Sequence, residues 1–120
     1  MAEIFDCLGL GIAPVDILMQ LKNYPDAGGK ADAEKTTIQG GGPIPTAMVA
    51  LSRLGKKPTL LAAVGDDVFG KFAIEELNKE KVDTSLIITK KNPSAFAVGW
   101  IEKKDGRDRK STRLNSSHRL

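Results

Sequence analysis

The chain has 120 residues, 41% hydrophobic and 28% charged with few aromatics, which suits one small globular domain and leaves no room for two. No apolar run reaches membrane-spanning length, and "MAEIFDCLGLG" carries acid where a secretory signal would carry Lys or Arg, so the expectation is a cytoplasmic protein with no membrane partner. The net charge of +3 is not spread along the chain: residues 1–107 hold 14 Lys and Arg against 14 Asp and Glu, and the whole excess lies in "DRKSTRLNSSHRL". A nucleic-acid partner would rest on that tail alone, and none is expected. The single Cys7 excludes a disulfide framework or a zinc cluster and reads as a small buried hydrophobe.

Residues 4–12, "IFDCLGLGI", form an apolar run closing in Gly-Leu-Gly and suit a buried strand. In "PVDILMQL", Val15, Ile17, Met19 and Leu21 fall on one side and Asp16, Leu18, Gln20 and Lys22 on the other, while Pro14 argues against a central strand. "NYPDAGGKAD" is a loop by its Pro, Asp and Gly content, and "AEKTTIQ" a short strand. Thr46 to Leu54 reads as a helix with an apolar face of Ala47, Val49, Ala50, Leu51 and Leu54, stopped by Gly55. "KPTLLAAVG" is a second buried strand. Asp67 is a good N-cap for the helix "VFGKFAIEELNKEK". "VDTSLIITKK" and "AFAVGWIEKK" are strands separated by "NPS", and "KDGR" reads as a hairpin turn. Strand–helix alternation in the middle predicts an α/β layer with parallel pairing, and the extra strands at both ends predict a smaller sheet beside it.

Three glycine-bearing stretches invite comparison with phosphate loops. "GLGIAP" has Pro14 where the third glycine of a dinucleotide fingerprint belongs, and a β-branched segment follows in place of a helix. "GDDVFGKF" has Phe72 where a P-loop needs Ser or Thr for magnesium, and Asp66 and Asp67 would repel phosphate; a capped turn accounts for it. "GGGPIPTA" has no Lys, Arg or acidic metal ligand nearby, and its bare backbone before a helix suits a neutral polyol as well as a phosphate. A plain strand-to-helix turn with prolines near the helix start accounts for it equally well.

Taken together, "GLGIAPVDI", "GGGPIPTAMVALSRLG", "LLAAVGDDVFGKFAIEEL" and "KVDTSLI", in that order over most of residues 4–107, resemble the N-terminal part of the ribokinase-like (PfkB) carbohydrate kinases. The resemblance implies an α/β fold, the N-terminal part of a three-layer α/β/α sandwich with a small β lid over the sugar. It implies a parent enzyme that phosphorylates a hydroxyl of a sugar or nucleoside with ATP and Mg2+. The implied acceptor-binding residues are Asp16, Gly41, Gly42 and Thr46. Asp16 matches the aspartate that hydrogen-bonds sugar hydroxyls, since a carboxylate offers acceptor oxygens to a diol. Thr46, a shorter-reaching side chain, stands where many members have Asn. The family's Gly-Ala-Gly-Asp motif, with its catalytic base and anion hole, does not occur here. The expectation is therefore an acceptor-binding half over residues 1–107, with no catalytic residue, no metal site and no bound cofactor of its own. In some members the lid packs against a second lid, so a homodimer of the parent is expected. On "SAFAVGWIE" the small face of Ala95, Ala97, Gly99 and Ile101 is expected toward the acceptor, and the face of Phe96, Val98 and Trp100 toward apolar cover.

Residues 108–120 read as a non-native or disordered tail. "DRKSTRLNSSH" back-translates codon by codon into a common sequencing-library adapter, so Asp108 to His118 is expected to be read-through, and His118, the one histidine, is given no catalytic role. The rival reading is a complete small sugar-binding module without catalysis, which predicts that the reading frame stops after a native tail.

Overall fold

The computed structural model describes residues 3–104 and 107–115, with side chains through Lys103. In chain order the elements are β1 (Cys7–Leu10), β2 (Val15–Leu21), β3 (Ala33–Gly40), α1 (Pro43–Arg53), β4 (Pro58–Gly65), α2 (Val68–Lys79), β5 (Ile87–Lys90), β6 (Phe96–Lys104) and β7 (Arg107–Asn115). They make two sheets. A parallel three-stranded sheet has the order β1-β4-β5, and a four-stranded sheet has the order β3-β2-β6-β7. The expected α/β layer with a second sheet beside it forms, but that second sheet is the larger of the two, with four strands against three.

β4 is the centre of the first sheet, and Leu60, Ala62 and Val64 on one of its faces are 0–1% exposed. α1 and α2 cover that face: Met48, Ala73, Leu77 and Val82 join these residues in one core, with half-buried Cys7 against it. Gly9 in β1 and Gly11 just past its end make this packing possible. A Cβ on Gly9 would stand 2.8 Å from Ile44 and 2.9 Å from the Met48 sulfur, and one on Gly11 2.9 Å from Ile44. "GLG" thus serves close helix–strand contact. On the opposite face the flanking strands are open, with Leu8 58%, Leu10 61% and Ile88 48% exposed, while Thr59 and Ala63 of β4 are buried there too.

Each helix is bounded by recognisable chemistry. α1 begins three residues earlier than the periodicity predicts, because Pro43 and Pro45 sit in its first turn, where no N–H is needed. It ends with Gly55 at φ 83°, Gly55 N–H donating to the Ser52 carbonyl and Lys56 N–H to that of Leu51, the paired bonds of a Schellman end. α2 is capped by Asp67, whose carboxylate accepts from the Gly70 N–H at 2.9 Å. At its other end Lys81 takes the left-handed conformation, φ 59°, that Gly55 takes after α1. Asp83 then bridges back to β4: its carboxylate accepts from Thr59 Oγ1 and Ser85 Oγ, both at 2.6 Å.

Two readings of the strands differ from what forms. β2 lies inside its sheet, between β3 and β6, despite Pro14. The proline precedes the first paired residue, so the ladder needs no N–H from it, and its carbonyl accepts from Gly41 N–H at 2.9 Å. Residues 108–115, read as part of a non-native or disordered tail, belong with Arg107 to β7, which pairs antiparallel with β6 from Lys104↔Arg107 to Phe96↔Asn115. An unpaired strand edge offers its backbone N–H and C=O to whatever chain returns along it, so pairing there needs no side-chain alternation. The centre of the "KDGR" turn and His118 lie outside the described residues.

Candidate acceptor-binding site

The site grows from the crossing between the two sheets. Chain leaving β1 passes Ala13 and Pro14 and enters β2, and Asp16 is the second residue of that strand. β2 pairs antiparallel with β3 and parallel with β6, placing Asp16 opposite Gln39 on one side and Ala97 on the other. Residues in register share a face, so Asp16, Leu18 and Gln20 lie with Ala97, Gly99 and Ile101. The small-residue face of β6 is therefore the face of Asp16.

β3 delivers the chain to Gly41 and Gly42 just beyond its end. Gly41 is buried, and a Cβ there would overlap the Asp16 carboxylate, with Oδ1 at 2.8 Å, Cγ at 2.7 Å and Oδ2 closer still. The missing side chain at 41 is the space that the Asp16 carboxylate occupies. Gly42 has a different task. Its φ of 90° favours glycine, it is the N-cap of α1, and a Cβ would stand 2.8 Å from Pro14 Cδ. The expectation that both glycines bare their backbone to hydroxyls is thus refined: Gly41 N–H is engaged by the Pro14 carbonyl, and Gly42 by the geometry of the helix start.

Thr46 departs from the other three. It lies exposed in the first turn of α1, and its hydroxyl donates back to the Gly42 carbonyl at 2.7 Å. With Gly41, Val49, Arg53, Glu76 and Leu77 it lines a cleft of about 370 Å3 between α1 and α2. Asp16 does not line that cleft. The structure thus brings Asp16, Gly41 and Ala97 together and turns Thr46 toward the helical groove. Gln39 does not stand out as a site residue in the sequence, and only strand register reveals that, of the small face expected toward the acceptor, Ala97 is the residue that flanks Asp16.

The other side of β6 is covered at its root by the chain itself: Phe96 stacks on Phe69 of α2, ring centroids 5.2 Å apart and planes at 24°. Farther along, Tyr24 of the β2–β3 loop donates its N–H to the buried Glu102 carboxylate at 3.0 Å.

Among the described residues no group of three or more His, Cys, Asp or Glu could hold a metal. The stretch "GDDVFGK" leads into α2, whose N-terminal Gly70 N–H is already taken by Asp67.

Residues 10–115 match the sequence pattern described as pfkB family carbohydrate kinase. The chain belongs to this family. Among curated relatives, a protein of Pyrococcus horikoshii named as a sugar kinase is 53% identical over 49 residues, 41% of this chain and 16% of that protein. A 5-dehydro-2-deoxygluconokinase of Clostridium botulinum is 41% identical over 63 residues, 52% of this chain and 18% of that one. Among solved structures, an Arabidopsis thaliana ribokinase complexed with ribose and ATP superposes with a TM-score of 0.82 at 19% identity, covering 94% of this chain and 36% of that chain. The chain thus spans roughly a third of that kinase, and the stretches aligned with the curated relatives are under a fifth of their length.

Proposed function

We propose that this pfkB-family chain is the acceptor-binding half of an ATP-dependent carbohydrate or nucleoside kinase, with Asp16 as the residue that holds the acceptor's hydroxyls. The observation that carries this reading is the Asp16 carboxylate lying over the bare Gly41, in register with Ala97 on the small-residue face of β6. A half-buried carboxylate beside alanine and glycine accepts hydrogen bonds from a diol without competition from neighbouring bulk. Relatives named for phosphorylating a sugar derivative, and a neighbour solved with ribose and ATP, favour the same substrate class. Thr46 joins the acceptor if its hydroxyl leaves the Gly42 carbonyl. Its present bond makes Thr46 secondary to Asp16.

In this reading ATP and Mg2+ belong to the parent protein in the cytoplasm, bound by residues beyond this chain, and the chain alone transfers no phosphoryl group. Residues 108–118 come from adapter read-through, and Trp100 contributes to a homodimer through the β6 face opposite Asp16. The uncut reading frame beyond Arg107 tests the first of these: continuation into a Gly-Ala-Gly-Asp segment supports the kinase, and a stop codon favours the small binding module. In the parent, Asp16→Asn should raise the acceptor KM by about tenfold to a hundredfold, from a charge-assisted hydrogen bond of about 1.5–3 kcal/mol, with the ATP KM unmoved. An unchanged acceptor KM removes Asp16 from the site.

A further inference from the structure

A capped turn does not by itself explain both glycines of "GDDVFG". A Cβ on Gly65 would overlap the Asn92 carbonyl oxygen and the Ser94 nitrogen, and one on Gly70 would overlap the Gly65 carbonyl oxygen and stand 2.9 Å from Ser94 Oγ. Both glycines clear room for the same residue. Ser94, only 2% exposed, sits in that room and is held on several sides. Its hydroxyl donates to Asp67 Oδ1 at 2.6 Å and accepts from Gly65 N–H at 2.8 Å, and its own N–H donates to Asp67 Oδ2 at 2.7 Å. One carboxylate therefore does two things: Oδ1 also caps α2 through the Gly70 N–H, while Oδ2 grips the loop that leads into β6.

The grip on Ser94 carries into the site through the next few residues. The Ala95 carbonyl accepts from Val15 N–H at 3.2 Å, where β2 starts, and Ala97, three residues past Ser94, is the register partner of Asp16. A strand rises about 3.3 Å per residue and carries its orientation with it, so fixing Ser94 fixes which way Ala97 faces. We infer that Asp67 is a positioning residue for the acceptor site, acting through Ser94 to lock the root of β6 against β4 and α2. This inference rests on the reading of Asp16 as the acceptor's ligand.

The test uses the 120-residue chain with Asp67→Asn and Ser94→Ala, read by amide hydrogen exchange. Trp100, the sole tryptophan, reports motion of the four-stranded sheet by fluorescence anisotropy. Asn caps helices as well as Asp, so α2 amides should keep their exchange rates, while an amide group replaces the oxygen that meets Ser94 N–H. Loss of a buried hydrogen bond predicts amide exchange about tenfold faster at Phe96–Val98 in both variants, with lower Trp100 anisotropy. The double variant should exchange no faster than the faster single one, because both changes open one latch. Unchanged β6 exchange, a rise shared equally by β4 and α2, or additive acceleration in the double variant would each overturn the inference. In the parent, Asp67→Asn should raise the acceptor KM and leave the ATP KM alone. Failure of the acceptor reading would show separately, as an Asp16→Asn parent with unchanged acceptor KM beside an intact exchange result.

Discussion

β4, at the centre of the parallel sheet, buries seven of its eight residues, whereas β3, at the edge of the four-stranded sheet, buries none. The first sheet is held by apolar area removed from water under α1 and α2. The second is held by its strand ladders and by a few anchors at its root: Gly41 to Pro14, Val15 to Ala95, Ser94 to Asp67, and Phe96 on Phe69. Burial is non-directional and tolerates small shifts, while hydrogen bonds and glycine clearances fix direction. A body built the first way and a sheet built the second can be perturbed separately.

The largest expected effect is on the body. Leu60 is fully buried, and Leu60→Ala should cost about 2–5 kcal/mol of unfolding free energy through lost transfer energy and the cavity left behind. Urea titration followed by circular dichroism checks this; a loss below about 1 kcal/mol would mean that the helical layer is not what holds β4. Gly41→Ala strikes the root of the second sheet. Its Cβ displaces the Asp16 carboxylate, and about 1–3 kcal/mol of overpacking should appear chiefly as a higher acceptor KM in the parent, with Leu60-region amides still protected.

Asp83 sharpens the comparison by pH. Burial alone would raise its pKa, but hydrogen bonds from Ser85 and Thr59 outweigh that and hold the carboxyl below its ordinary value. A depressed folded pKa means that the stabilisation is fully present above the unfolded value of about 4 and is lost as pH falls through the folded value. Asp83→Asn should therefore flatten the acid limb of the body's stability curve, and an acid limb identical to wild type would show that Asp83 contributes no linkage. The smallest effect belongs to Arg53 and Glu80, paired at 2.6 Å with side chains 69% and 34% exposed. Arg53→Ala should leave the melting midpoint where it was at physiological ionic strength, because exposed pairs are screened.

Much of the body was legible in the chain. The apolar run "KPTLLAAVG", the Asp67 cap and the Gly55 stop act within a turn or a strand, where local chemistry decides the outcome. The site was legible in part: Asp16 and Gly41 stood out by resemblance, but their contact crosses from β2 to the β3–α1 turn, and no spacing along the chain encodes that the absent Cβ of one is the room for the other. The bond from the Thr46 hydroxyl to the Gly42 carbonyl is likewise not written in the chain, since it exists only once the first turn of α1 forms. Ser94 gave no signal at all, since "NPS" is an ordinary loop until β4 and α2 close around it.

The sequence by itself determined the α/β class, the placing of both helices and the membership of a kinase family, because hydrophobic period, caps and short glycine motifs are local and survive in one dimension. The tertiary structure alone decided that β2 lies inside its sheet, that Ala97 and not a neighbour faces Asp16, and that the two glycines of "GDDVFG" seat Ser94. Those are matters of register and clearance between segments tens of residues apart, and a shift of one residue in β6 would turn Ala97 away from Asp16.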